Sequence, residues 1–227
     1  MKKVLFFKIY TAFCFIYLLL LYMGYESLDC YLKPVLIPLL ILGVYFSKKF
    51  PTQNILLTAL LFSWIGDVIL LFADIAEIYF ILGLVSFLIS HILYCVLFNR
   101  QIKEKIKRNA AFFITGSILI ACYLIGMLSV LMPSLGDLKI PVMVYASVIS
   151  IMLLFAYNGL LIWKKPANQL VFFGALFFVI SDSILALNKF HTPLKKSSFI
   201  IMLTYLVAQY LIVIGILKLN SKKEEQQ

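Results

Sequence analysis

The chain has 227 residues, 63% of them hydrophobic and 13% charged, with a mean hydropathy of +1.04. No soluble domain of this length hides that much apolar surface, so an integral membrane protein is expected, with little chain left for a separate soluble domain. The net charge of +10 comes with no aromatic-interleaved basic motif. It therefore reads as anchoring to anionic membrane lipid and not as nucleic-acid binding.

A helical crossing needs ~20 apolar residues. Candidate runs fall near 4–24, 32–47, 54–72, 77–98, 110–132, 140–163, 169–188 and 198–219. They predict an all-α integral membrane protein of eight transmembrane helices, a single polytopic domain over 1–227 that ends in a short charged tail at 220–227. The opening MKKVLFF imitates a secretory signal. Its apolar stretch is longer than a usual signal core, and no small-x-small cleavage site follows, so residues 4–24 are expected to be a retained first helix. The second run is short and contains Pro34 and Pro38, which this reading puts in its first turns, where missing backbone donors matter least.

The third run, Ile55–Phe72, contains Asp67, and the seventh, Leu170–Leu187, contains Asp182. A carboxyl group in hydrocarbon is costly; it usually faces a protein interior and has a function. The surrounding segments resemble each other: Gly66-Asp67-Val68-Ile69-Leu70 and Ser181-Asp182-Ser183-Ile184-Leu185. That likeness points to a 4+4 parallel internal repeat, which would put a site where the halves meet. Helices three and seven then run in the same direction. Both aspartates would lie roughly 8–9 Å below the outer helix ends, at ~1.5 Å rise per residue. Two carboxyls at matched depth are expected to face one chamber and share one proton, the basis of acid/base chemistry.

The fourth run carries Gly83, Ser86, Ser90, His91 and Tyr94 at three- to four-residue steps, and the eighth carries Thr204, Tyr205, Ala208 and Gln209. Small and polar faces of this kind serve as packing seams between membrane helices. They also serve as walls of a polar chamber, since His91 or Gln209 set against lipid without a partner would cost several kcal/mol. Ser86 and Ser90 fit the seam better, and His91 and Gln209 the chamber. His91 lies about nine residues deeper than Asp67 by helix counting, in a floor position. His191, beside Thr192-Pro193, is expected to be an interfacial histidine.

With the N-terminus inside, the inner segments hold Lys2, Lys3, Lys8, Lys48, Lys49, Arg100, Lys103, Lys105, Lys107, Arg108, Lys164, Lys165, Lys218, Lys222 and Lys223, most of the 20 basic residues. Lys33, Lys139, Lys189, Lys195 and Lys196 fall outside. Both termini are therefore expected in the cytoplasm. The basic segment 189–197, KFHTPLKKS, runs against this assignment. The cysteines Cys14, Cys30, Cys95 and Cys122 form no CxxC and no Cys/His spacing, and no Gly-rich phosphate loop, nucleophile elbow or HExxH occurs. Neither a metal nor a cofactor is expected.

Several pieces taken together resemble the YhhN family of bacterial membrane proteins, whose animal relatives are lysoplasmalogenases. They are Leu32-Lys33-Pro34-Val35, Gly66 through Leu71, Gly83 through Tyr94 (GLVSFLISHILY), Tyr145-Ala146, Ser181 through Asn188 (SDSILALN) and Tyr205 through Gln209 (YLVAQ). They stand in family order across about residues 32–210. The resemblance implies an eight-helix enzyme of the bacterial inner membrane. Such an enzyme cleaves the vinyl ether bond of a lysoplasmalogen to a fatty aldehyde and glycerophospho-ethanolamine or -choline. It implies Asp67 and Asp182 as the catalytic pair, either of them acid or base. Ser90, His91, Tyr94, Tyr145, Asn188, Tyr205 and Gln209 come with it as candidate substrate-binding residues. The partners expected are a lysophospholipid or ether-lipid substrate and membrane lipid. Lys33, at the outer mouth of the second helix, is placed either to meet the substrate phosphate or to snorkel to lipid headgroups.

Two other function classes stay open on the residues alone. A proton-coupled transporter would use the membrane carboxyls as relays. An aspartyl intramembrane protease also needs two membrane aspartates, but its common GxGD pattern wants Gly where this chain has Trp64.

Overall fold

A computed structural model describes residues 2–102 and 109–224, with side chains through residue 221. The α-helices among the described residues are α1 (Lys2–Tyr22), α2 (Asp29–Tyr45), α3 (Gln53–Leu70), α4 (Glu77–Gln101), α5 (Ala110–Leu131), α6 (Lys139–Ile162), α7 (Ala167–Phe190) and α8 (Ser197–Glu224). Taken with the short 3-10 turns that adjoin α2, α5 and α6, all 8 are long and apolar enough to cross a membrane, and the chain is an integral multi-spanning protein. Of the basic residues that set the expected topology, Lys103, Lys105, Lys107, Arg108, Lys222 and Lys223 have side chains outside the described residues, as does the end of the expected tail.

The helices group into two compact units, residues 1–97 and 98–227. In the first, α1 packs on α2 and α2 on α3. Beyond Lys2, Lys3 and Lys8, α1 is apolar on nearly every side, yet buries one stripe, Phe7, Tyr10, Cys14, Tyr17 and Leu21, spaced by three or four residues. It stops at Gly24, whose φ of +90° is the left-handed conformation that favours glycine. The N–H of Gly24 then reaches the Leu21 carbonyl, and that of Tyr25 the Leu20 carbonyl, both at 3.0 Å. This crossed pair of bonds satisfies carbonyls that the helix end leaves open.

α2 starts earlier than its apolar run. A single 3-10 turn at Glu26–Leu28 leads into a helix beginning at Asp29. Pro34 and Pro38 are therefore inside the helix and not in its first turns. Pro38 has no N–H to give the carbonyl four residues back, that of Pro34. The indole Nε1–H of Trp64 on α3 donates to that Pro34 oxygen at 2.8 Å. The bond both satisfies the carbonyl and fixes the register of α2 against α3.

α3 and α4 meet through small residues. A Cβ on Gly66 would lie 2.7 Å from the Phe87 ring and 3.3 Å from the Gly83 carbonyl oxygen. Ser86 donates to the Phe62 carbonyl at 2.6 Å, and Ser90 to that of Ala59 at 2.8 Å. Close backbone approach and interhelical hydrogen bonds replace the hydrophobic drive that lipid cannot supply.

In the second unit, α5 packs on α6, α6 on α7, and α7 most extensively on α8. α5 buries little besides Leu131 and leaves most of its apolar side chains exposed. Its far end joins a buried cluster of Leu131, Leu135 and Val142, packed against Leu187 and Phe190 of α7. A Cβ on Gly174 would lie 2.9 Å from the Ile212 nitrogen and 3.0 Å from the Ala208 carbonyl oxygen, so α7 and α8 touch backbone to backbone there.

The third helix of each unit is pinned at its start in the same manner. Gln53 Nε2 donates to the Val44 carbonyl at the end of α2, at 2.8 Å. Asn168 Nδ2 donates to the Leu160 carbonyl at the end of α6, at 2.9 Å. Gln53 and Asn168 stand at the same spacing before Asp67 and Asp182, and Pro51 and Pro166 at the same spacing before each amide.

Candidate functional site

Asp67 sits near the end of α3 and is 3% exposed. Consecutive helices of its unit run antiparallel, so the end of α1, the start of α2 and the end of α3 share one end of the unit. Tyr10 and Tyr17 of the α1 stripe lie within electrostatic reach of Asp67. Tyr17 is 1% exposed, and its hydroxyl donates a short hydrogen bond to Asp29 Oδ1 in the first turn of α2. Cys14 hydrogen-bonds Tyr10 within the same stripe. On the α4 side, Gly66 and Gly83 bring the two helices together directly beside the carboxyl.

Asp182 sits near the end of α7 and is partly buried. Tyr145, near the start of α6, donates its hydroxyl to Asp182 Oδ2 at 2.5 Å. The next residue, Ser183, donates to the Val179 carbonyl at 2.5 Å and accepts a short hydrogen bond from Tyr123 of α5. Ser181 donates to the Ile201 carbonyl of α8 at 2.9 Å. Residues on both sides of Asp182 are thus fixed to other helices, which restricts how far its carboxyl can swing.

The other residues singled out in the sequence are distributed between the units. In the first, Ser90 is buried in the α3–α4 seam; with its proton on Ala59, it accepts from Ser63 at 2.8 Å. His91 and Tyr94 are completely buried on α4, with His91 stacked on Phe87 at 6.5 Å between ring centroids. Lys33 is half-buried on α2. In the second, Tyr205 is buried edge-on to Phe178 at 5.5 Å, and Gln209 is completely buried one turn on. Asn188 Oδ1 accepts the Leu194 N–H at 2.9 Å, closing the α7–α8 connection. His191 is exposed. Among the described residues, no group of three His, Cys, Asp or Glu side chains is placed to hold one metal ion.

Sequence reasoning missed Tyr10, Tyr17 and Tyr123, which lie on the first helix of each unit. A signal was present for α1: Tyr10, Cys14 and Tyr17 recur at helical spacing on one face of a helix that, past Thr11, is otherwise aliphatic or aromatic until Tyr22. In such a helix, the face carrying hydroxyls is the one that finds partners.

Comparison with known proteins agrees with the resemblance read from the residues. The model of the YhhN family matches residues 28–216. The human protein named Lysoplasmalogenase TMEM86A is 33% identical over 184 residues, covering 76% of this chain and 69% of that protein. Its bovine counterpart is 30% identical over 190 residues, covering 81% and 73%. No solved structure matches.

Proposed function

We propose, since this chain belongs to the YhhN family, that it is a membrane hydrolase that opens the vinyl ether bond of a lysoplasmalogen. The supporting observation is the likeness, over most of the chain, to two proteins named lysoplasmalogenases. Each unit also carries a membrane aspartate, and that of the second unit accepts a tyrosine hydroxyl, which suits a proton-transfer reaction.

The chemistry needs one proton donor and one acceptor. The donor protonates the outer carbon of the vinyl ether, leaving an oxocarbenium ion. The acceptor carboxylate stabilises that cation and takes a proton from the water that attacks it. The resulting hemiacetal transfers its hydroxyl proton and loses the glycerol oxygen, giving a fatty aldehyde and a glycerophospho-alcohol. We assign the two roles to Asp67 and Asp182, without deciding which takes which. Tyr145 orients the Asp182 carboxyl through its hydroxyl. The shared position of Gln53 and Asn168 ahead of the two aspartates supports reading the halves as a repeat. We further propose that both termini are cytoplasmic, on the excess of basic residues in the inner segments.

Incubation of the purified protein with a lysoplasmalogen, followed by mass spectrometry, tests the activity. Fatty aldehyde and the matching glycerophospho product are expected with wild type and not with Asp67→Asn. Intact lipid in both samples would remove the hydrolase reading.

A further inference from the structure

Asp29 and Lys33 lie one turn apart on α2, at the end of the unit that also holds Asp67. Side chains four residues apart on a helix are neighbours, and opposite charges there normally pair. These two do not: neither makes an ion pair with the other or with any charged group among the described residues. The buried Tyr17 of α1 holds Asp29 through Oδ1 instead. Asp29 Oδ2 has no hydrogen-bond partner among the described residues, and neither does Lys33 Nζ. Both residues are half-buried, where an unpaired charge is costly. The Trp64–Pro34 bond, next to Lys33 in sequence, locks this part of α2 against the helix that carries Asp67.

We propose that Asp29 and Lys33 form a headgroup site in which Lys33 takes the phosphate and Asp29 the ammonium of a phosphoethanolamine lysolipid. An ethanolamine bridge separates phosphate and ammonium by a step comparable to the one turn between these side chains. The remaining carboxylate oxygen of Asp29 is an acceptor, which suits a primary ammonium with N–H groups to donate. A quaternary choline has no such donor and is recognised by aromatic faces, whereas Tyr17 presents its hydroxyl to Asp29. This site rests on the lysolipid reading above, but concerns binding alone.

The test uses the full chain in detergent and non-hydrolysable 1-O-alkyl lysolipids with phosphoethanolamine, phosphocholine or phosphoglycerol headgroups. Wild type is expected to bind the ethanolamine lipid about 10-fold or more tightly than the phosphoglycerol lipid, the usual size for a hydrogen bond to a charged group. Asp29→Asn keeps an oxygen for Tyr17 but loses the charge, and should abolish that preference. Lys33→Gln should weaken ethanolamine, choline and phosphoglycerol lipids alike. Glu26→Gln, an exposed neighbour, should leave the ratio unchanged. The readout is a ratio within one preparation, so loss of folded protein cancels. A wild type without headgroup preference, or an unchanged ratio in Asp29→Asn, overturns the proposal. If vinyl ether lipid is not hydrolysed while these ratios hold, the hydrolase reading fails and the headgroup site stands. If the lipid is hydrolysed but the ratios show no effect, the headgroup site fails and the hydrolase reading stands.

Discussion

The indole N–H of Trp64 occupies the one carbonyl that Pro38 leaves open inside α2, that of Pro34, at 2.8 Å. A proline in a helix interior and a tryptophan on the next helix are thus two halves of one hydrogen bond. Trp64→Phe keeps an aromatic ring but leaves the Pro34 oxygen without its donor. It should cost about 1 kcal/mol of stability, within the range measured for hydrogen bonds between membrane helices. Pro38→Ala restores a helical N–H to the same carbonyl, so Trp64→Phe should cost less in that background. A double-mutant cycle on detergent unfolding measures this. Purely additive costs would mean that Trp64 stabilises by packing and not through this bond.

Two glycines should respond in opposite ways to one added methyl group. At Gly174, the methyl meets backbone atoms of α8 at 2.9 and 3.0 Å, and backbone cannot rotate aside. Gly174→Ala should destabilise by about 1–3 kcal/mol through forced separation of α7 and α8. At Gly126, within α5, no atom lies within 4 Å. Gly126→Ala should be neutral or stabilise by up to ~1 kcal/mol, since alanine restricts the unfolded chain and favours the helix. Equal melting shifts for the two variants would contradict the close α7–α8 contact.

The positions of the helices were legible because apolar runs of crossing length leave little choice of structure. The start of α2 was not, because Glu26 through Asp29 read as loop by polarity. The carbonyl that Pro38 frees has its partner on another helix, and sequence spacing does not report such a pairing. The aspartates stood out by their cost in hydrocarbon. Tyr145, the partner of Asp182, came only with the family resemblance; Tyr10, Tyr17 and Tyr123 did not stand out, since a tyrosine in a membrane helix is common and its hydroxyl can face either way. Asn188 shows the limit of motif matching: it stands in a family segment beside Asp182, yet its side-chain oxygen serves the backbone of Leu194.

Tyr145→Phe removes the hydroxyl that holds Asp182 Oδ2 and keeps the ring. Hydrogen bonds to charged groups contribute about 1.5–3 kcal/mol. If Asp182 takes part in the reaction, turnover should fall by about 10- to 100-fold per folded molecule, with the folded fraction taken from melting curves of both variants. Tyr157→Phe, whose hydroxyl donates to the Phe112 carbonyl at 2.7 Å on the same unit, serves as the control and should keep its turnover. Full activity in Tyr145→Phe would separate this hydrogen bond from catalysis.

The basic segment 189–197 decides the orientation. A single cysteine placed as Lys195→Cys, in a chain lacking Cys14, Cys30, Cys95 and Cys122, should react with a membrane-impermeant maleimide on intact cells. Lys195 is exposed in the α7–α8 connection, so access is not limited by folding. Reaction only after permeabilisation would put that connection in the cytoplasm and reverse the assigned orientation.

Asp67→Asn and Asp182→Asn test the acid/base assignment most directly. An amide has nearly the shape of the carboxyl but neither donates an acidic proton nor accepts one as a base. Each variant should lose roughly 100- to 10,000-fold in turnover, the usual contribution of a general acid or base. If the two carboxyls serve one protonation and one water attack in sequence, removing either stalls the reaction. The double variant should then be no slower than the worse single one by more than a few-fold. Melting curves separate this outcome from misfolding, a necessary control for Asp67 at 3% exposure. Chelation with EDTA should leave wild-type turnover intact. Loss of activity on chelation, restored by added metal, would make the aspartates ligands and change the chemistry assigned to them. Ordinary turnover in either single variant would remove that aspartate from the mechanism. Additive losses would mean that the two carboxyls act on independent steps and not as one acid/base pair.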